Sequence, residues 1–199
     1  MRVFLAGEGR TELGELAREP PFREQPGEKG VLVALIERIG GNAFTVVDGV
    51  VWTAIRKYQA GRHASAEVRN VLGLALHAKH ALCDAVVFSR DRDGSVARER
   101  ELEKGVQRAR ELFTNLEVIG GVAIENIEGW ILVLLGQQGE RISSKRTKLE
   151  LEKHGVTTLL QKVDAIASAS LTGLPAGSLS TWLERARSAF AQKELHDGA

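Results

Sequence analysis

Apolar residues fall along this chain in two alternating rhythms. Val3 to Ala6 is a short continuous apolar run that stops at Gly-Glu-Gly, the pattern of a buried strand breaking into a turn. Thr11 to Arg18 then reads as a first helix. Residues 19–30, EPPFREQPGEKG, hold three of the four prolines among many charges and read as a loop. VLVALIERI at 31–39 is apolar enough for helix or strand, and periodicity does not separate the two. FTVVDGVVW at 44–52 reads as strand, with Asp48-Gly49 as a candidate tight hairpin turn. Val68, Val71, Leu72, Ala75, Ala78 and Leu82 recur at helical spacing and predict an amphipathic helix over 65–82. Ala85 to Phe88 is again a short apolar run. Val96, Leu102, Val106, Ala109 and Phe113 mark the next helix. LEVIGGVAI, 116–124, predicts a third strand of this series, its glycine pair signalling a bulge or close packing. A helix follows from Ile127 to Leu135.

Strand, helix, strand, helix, strand is the order of a parallel α/β sheet flanked by helices. The remainder, 145–196, reads as helical. One stripe is Val156, Leu159, Leu160, Val163 and Ala167. Another is Leu179, Trp182, Leu183, Ala186 and Phe190, with Thr181 and Glu184 as a candidate capping box. LTGLPAGS at 171–178 breaks the two. The expected organisation is an α/β domain over 1–138 with a helical C-terminal extension over 139–199 packed on it. No internal repeat or low-complexity tract is visible.

Composition changes this picture little. A chain of 199 residues with 43% hydrophobic content can bury a substantial core. The formal charge of +1 gives no global field that would draw a polyanion or a membrane surface, so binding to either needs a local patch or a metal bridge. A single cysteine, Cys83, excludes an internal disulfide and suits a reducing compartment as a buried thiol. The N-terminal apolar stretch ends in charges too soon for a signal peptide, and the longest apolar run, Ile131 to Leu135, is too short to span a bilayer. The expected location is the cytoplasm, with no membrane partner.

The chemistry gathers where the strands end. In open α/β sheets, functional groups collect outside the carboxyl ends of the strands. Here those ends carry acids: Glu8 and, one helical turn on, Glu12; Asp91 and Asp93; Glu125 and Glu128. Six carboxylates on one edge repel one another unless cations sit among them. Oxygen ligands of this kind suit Mg²⁺ or Mn²⁺ rather than zinc. Gly7, Gly9 and Gly94 flank the acids and let the backbone turn sharply beside a ligand.

These motifs carry a family resemblance. GEGRTE at 7–12 resembles the EGxTE strand-end motif of Toprim-like proteins. SRDRDG at 89–94 resembles their DxD motif. AIENIEGW at 123–130 is similar to a third acidic segment, ExxExW, of a Toprim-related bacterial family of uncharacterised function. The three occur in order, each at a strand end, within roughly the first 135 residues; the helical tail is not explained by the resemblance. Topoisomerases, primases, OLD-type nucleases and recombination proteins share that fold. The resemblance implies a Mg²⁺- or Mn²⁺-dependent nuclease or phosphodiesterase acting on DNA or RNA, with a role in phage defence or nucleic-acid maintenance. Glu8 matches the glutamate that serves as metal ligand or acid–base group, and Asp91 and Asp93 match the metal-binding pair. Glu12 matches the glutamate that helps hold a second metal in OLD-type nucleases. Glu125 and Glu128 complete a metal site or cap the following helix. Tyr58, the single tyrosine, lies in no topoisomerase context, and no zinc module or helicase motif points to a primase. An ATPase partner, as some OLD-type systems use, and a homo-oligomer are further implied possibilities. The alternative is a non-catalytic binding or assembly module.

Other features have ordinary explanations beside the functional ones. Glu8 and Glu12 also suit a first helical turn, where acids complement the dipole. Asp93-Gly94 is also a common turn pair. Trp130 is expected in the core rather than on a base-stacking platform. His77 and His80 lie three apart on one helix with no third His or Cys nearby, which favours a solvated helix end. Two basic clusters, Arg56, Lys57, Arg62 and His63, and Arg141, Lys145, Arg146 and Lys148, are either phosphate contacts or solvated faces. An aspartyl phosphotransferase is a third possibility that the DRDG segment permits.

Overall fold

The computed structural model describes residues 1–24, 26–41, 43–59 and 64–197, with side chains to 191. Its centre is a four-stranded parallel sheet of β1 (Arg2–Gly7), β2 (Thr45–Val51), β3 (Ala85–Asp91) and β4 (Glu117–Ala123), in the order β2-β1-β3-β4. Eight α-helices are described around it: α1 (Arg10–Leu13), α2 (Val31–Gly40), α3 (Ala66–His80), α4 (Val96–Leu112), α5 (Ile127–Leu134), α6 (Ser144–Lys153), α7 (Leu159–Ser168) and α8 (Ser178–Asp197). The class is α/β, as the alternation of strand and helix patterns predicts.

Strands buried on both faces should be apolar along their buried length, as β1 is from Val3 to Ala6 and β3 from Ala85 to Phe88. Val3, Leu5, Ala85 and Val87 point to one core with α2, α5 and the C-terminal helices. Phe4, Ala6, Val86 and Phe88 point to a second core with α3 and α4. The first core runs across the expected boundary at 138: Trp182, Leu183, Ala186 and Phe190 of α8 pack with Trp130 of α5 and Leu5 of β1. Two buried tryptophans tie the tail down. The Trp182 Nε1–H donates to the Phe88 carbonyl at 3.0 Å, and the Trp130 Nε1–H donates to Ser178 Oγ at 2.7 Å. Their rings stand 5.7 Å apart at 49°, a tilted aromatic pair. Trp130 is therefore core, as expected.

Three local expectations change and one open segment is settled. Asp48-Gly49 makes no hairpin: both residues lie inside β2, which runs parallel to β1, and a parallel pair cannot be joined by a tight turn. Gly49 instead leaves room for Leu16, whose Cβ would lie 3.2 Å from an added methyl. The helix expected over Thr11–Arg18 breaks after Leu13, because Gly14 takes φ of 61° and its neighbourhood has no room for a side chain; a 3-10 turn follows at Glu15–Ala17. The unsettled segment 31–39 is helix, since α2 needs a full apolar face against the sheet. Thr181 and Glu184 form no capping box, because α8 begins at Ser178 and Thr181 is already inside it. Glu140 does the capping: its carboxylate accepts from the Ser178 and Leu179 backbone N–H groups at 3.0 and 2.9 Å and from the Ser178 hydroxyl.

The glycine pair of β4 marks close packing rather than a bulge. Strands β3 and β4 pair without a register shift, and an added Cβ at Gly120 would lie 2.1 Å from the Phe88 ring. The irregularity of the sheet falls between Val3 and Phe4, where β1 pairs with β2. Among the described residues no helix is long and apolar enough to cross a membrane.

Candidate functional site

The sheet order creates a natural crevice. From β1 the chain leaves to α1 and α2, on the first core; from β3 it leaves to α4, on the second. Adjacent strands whose connections diverge to opposite faces open a gap at their carboxyl ends, the switch point of an open α/β sheet. Glu8 and Asp91 stand on the two sides of that gap, and Glu8 Oε1 accepts from the Asp91 N–H at 3.3 Å.

Strand alternation then sorts the charges by face. Residue 91 continues the row of Ala85 and Val87, toward α5; residue 90 continues the row of Val86 and Phe88, toward α3 and α4. On the α5 side Asp91 has Glu12 and Glu128 as electrostatic neighbours. Its Oδ1 accepts from the Ile127 N–H at 3.1 Å, which locks it to the first turn of α5. Glu12 is 4% exposed, and its Oε2 accepts from the Gly9 N–H at 2.9 Å. Two glycines make its place. An added Cβ on Gly7 would lie 2.4 Å from Glu12 Cβ, and one on Gly30 would lie 2.2 Å from the Glu12 carbonyl oxygen. Glu128 lies in the first turn of α5 and pairs with Lys162 of α7, Nζ to Oε1 at 2.9 Å.

Burial and crowding set the chemistry here. The Glu12 carboxyl is pushed up to about 7, first by burial and then by Glu128, against the opposing pull of backbone hydrogen bonds and Lys162. Asp91 is likewise pushed up to about 7, by burial, then Glu12, Glu128 and Asp93. Both shifts favour the protonated form, the response of buried carboxyls crowded by like charge.

On the opposite face the acids are held by arginines. Glu8 pairs with Arg90, whose guanidinium lies 5.6 Å from the Trp52 ring centroid. Arg98 donates through NH1 to the Asp91 carbonyl at 2.7 Å and to Asp93 Oδ2 at 2.6 Å, clamping the turn after β3. Arg92 lies 3.7 Å from Glu125 and 3.6 Å from Glu99. Glu67, at the start of α3, sits among Arg98, Arg90 and the Trp52 N–H; burial raises its pKa despite the Arg98 charge. Two of the three described non-glycine residues with positive φ are Asp93 (48°) and Glu125 (63°), so two of the strand-end turns place an acid in left-handed backbone.

Of the six acids expected at this edge, Glu12, Asp91 and Glu128 act on one another electrostatically. Glu8, Asp93 and Glu125 are each paired with an arginine. Neither Glu125 nor Glu128 caps α5; the Asn126 side chain does, accepting from the Gly129 N–H at 3.0 Å. Among the described residues no three His, Cys, Asp or Glu are arranged to share one ion, with Glu128 turned to Lys162 and Glu12 to Gly9. The donor set is nevertheless the one a hard divalent cation takes: carboxylate oxygens alone, two of them with raised proton affinity.

Residues absent from the sequence reading complete the site. Arg90 and Arg92 stood in view, interleaved with the acids of SRDRDG. Glu67 follows Ser65, the N-cap of α3, and reads as an ordinary first-turn acid. Lys162 carries one signal: it falls on the packed row of α7, beside Val163 and between Leu159 and Ile166.

The remaining candidates lie elsewhere. The His77 ring stacks on Phe4 at 6.1 Å, and burial lowers its pKa; His80 is exposed. Cys83 is buried and its thiol pKa is raised by burial, as expected. Arg56 and Lys57 are exposed, while Arg62 and His63 lie outside the described residues. Lys145 and Arg146 border an open surface groove on α6 with Glu150, Glu152 and Lys153. Compared with family models, with curated proteins and with solved structures, the chain matches none of them.

Proposed function

We propose that this protein is a divalent-metal-dependent phosphodiesterase acting on nucleic acid, a nuclease of the kind its Toprim-like strand-end motifs resemble. The observation that supports this reading most is Asp91 at the switch point, its carboxylate fixed by the Ile127 N–H and its N–H donated to Glu8, with Glu12 and Glu128 as electrostatic neighbours and Asp91 and Glu12 pushed up to about 7. Magnesium or manganese, when bound, polarises a phosphoryl oxygen and acidifies a water. Asp91 is the central ligand, because the Ile127 N–H fixes its carboxylate to the crevice. Glu12 of α1 and Glu128 of α5 act on Asp91 electrostatically and would have to turn toward it to join the ligand set. Glu8, held by Arg90 and by the Asp91 N–H, is placed across the gap to orient a water or accept its proton. Asp93 shapes the turn through Arg98 and stands at the mouth as a further ligand. Arg90, Arg92 and Arg98 line the edge and offer guanidinium donors to phosphate, which makes binding salt-sensitive.

A second reading, a non-catalytic module that binds or assembles, is favoured by one observation. Four acids at the edge, Glu8, Asp93, Glu125 and Glu128, already have cationic partners. One pair of measurements separates the two readings. Mn²⁺ binding is followed by calorimetry, and cleavage of plasmid, single-stranded DNA and RNA is assayed with Mg²⁺ or Mn²⁺, for the wild type and for Asp91→Asn/Asp93→Asn. The nuclease reading expects binding and cleavage in the wild type and loss of both in the variant. Cleavage untouched by the double substitution would refute it. A wild type that neither binds Mn²⁺ nor cleaves brings the second reading forward.

A further inference from the structure

The β4 edge of the sheet is open at one residue. Glu117 donates its N–H to the Asp84 carbonyl and Arg92 donates to the Ala123 carbonyl, both at 2.9 Å, so residues 117 and 123 bond toward β3. Alternation turns the N–H and C=O of Val118, Gly120, Val122 and Ile124 outward. Side chains cap three of these four. Arg110 donates to the Val118 carbonyl at 2.8 Å and Arg185 to the Gly120 carbonyl at 2.7 Å; the Ile124 N–H donates to Ser178 Oγ at 3.2 Å. Val122 has no such cap among the described residues, although it is only 6% exposed. Buried backbone groups are nearly always paired, so an open N–H beside an open C=O calls for a partner.

Space for a partner is present. A cavity of about 370 Å³ lies against this edge between α4 and α8, its lining including Glu99, Glu103, Gly121, Val122, Thr181 and Trp182. Gly121 helps to keep it open. An added Cβ there would lie 3.4 Å from Arg185 NH1 and 3.9 Å from the Trp182 ring, so packing does not demand glycine as it does at Gly120. The flanking caps by Arg185 and Ser178 leave an added peptide strand no run of free groups to pair with. A compact planar group with a donor beside an acceptor fits instead. The two carboxylates of the lining favour further donors over an anion, and Arg185 is already held by Glu103 at 2.8 and 3.0 Å. Glu99 also lies 3.6 Å from Arg92, which joins the cavity to the arginines at the strand ends. We propose that this cavity holds a nucleobase with an exocyclic amine, adenine or cytosine. Its ring nitrogen accepts from the Val122 N–H, its amine donates to the Val122 carbonyl, and the second amine hydrogen faces the carboxylates. Thymine can match the same backbone pair but turns a carbonyl oxygen where that hydrogen belongs. This rests on the nucleic-acid reading above and names the base that the protein selects.

The test is fluorescence anisotropy of labelled oligo(dA), oligo(dC) and oligo(dT) of equal length, in EDTA and in Ca²⁺ at pH 8, on the full chain. Wild type and Gly121→Val are compared; the added side chain enters the cavity without a clash at Cβ. The wild type is expected to bind oligo(dA) and oligo(dC) at least about fivefold tighter than oligo(dT), the worth of one net hydrogen bond. Gly121→Val is expected to lose that preference while its affinity for oligo(dT) stays within about twofold of wild type, because phosphate contacts carry the rest. Equal binding of all three by the wild type, or a preference that survives Gly121→Val, would overturn the base pocket and leave the nucleic-acid reading intact. A wild type that binds none of them in either condition would instead remove the reading on which the pocket rests. If Gly121→Val does not fold, Thr181→Leu is measured under the same expectation, since exposed Thr181 borders the same cavity.

Discussion

Ionising Glu12 should cost this fold stability whenever no divalent cation is present. Its carboxyl is 4% exposed and pushed from an ordinary 4.5 up to about 7. A shift of that size is worth about 3 kcal/mol, at 1.36 kcal/mol per pKa unit. The sign follows from proton linkage. Between the unfolded and folded pKa values the native state holds the proton and the unfolded state has released it. Stability is therefore full below about pH 4.5, falls as pH rises toward 7 and levels off above that. Asp91 titrates in the same window, from 3.8 up to about 7, and because it repels Glu12 the two protons leave as a coupled pair. Glu12→Gln removes the charge while keeping an oxygen that can accept from Gly9. Urea midpoints in EDTA at pH 5, 6, 7 and 8 are the assay. Wild type and variant should be close at pH 5, and by pH 8 the variant should be the more stable by about 3 kcal/mol. Mn²⁺ at pH 8 should restore the wild type and leave the variant nearly unmoved. Parallel pH profiles for the two proteins would refute the reasoning, since the desolvated, crowded carboxyl would then be absent.

Three further outcomes follow from the packing. Trp182→Ala should destabilise by about 3–5 kcal/mol in denaturant, because it empties a site that joins α8 to β3; a cost below about 1 kcal/mol would mean the tail is not part of the core. Gly120→Ala should cost about 1–3 kcal/mol, the price of driving a methyl into the Phe88 ring, and Phe88→Leu should relieve part of it in a double-mutant cycle. Gly7→Ala should displace Glu12, whose Cβ would lie 2.4 Å from the new methyl; calorimetry should show weakened Mn²⁺ binding with a native circular dichroism spectrum.

The chain by itself determines the layer architecture and the edge at which chemistry gathers. Continuous apolar runs at Val3–Ala6 and Ala85–Phe88, separated by helical periods, leave few alternatives to a parallel sheet. Each run ends in acids because a strand leaves the core at its carboxyl end. Cys83 and Trp130 also follow their composition into the core. Local sequence does not determine segment 31–39, which fits either element until a sheet face requires an apolar helix. Nor does it separate a turn at Asp48-Gly49 from a strand residue that yields to Leu16. Only the tertiary structure decides which acids act on one another. Side-chain alternation along β3 sends Asp91 to the α5 face, where Glu12 and Glu128 act on it electrostatically, and Arg90 to the α3 face, where it pairs with Glu8. The ammonium that pairs with Glu128 comes from Lys162, distant along the chain. Its role depends on how α7 packs against α2 and α5, and spacing within a segment carries no record of that.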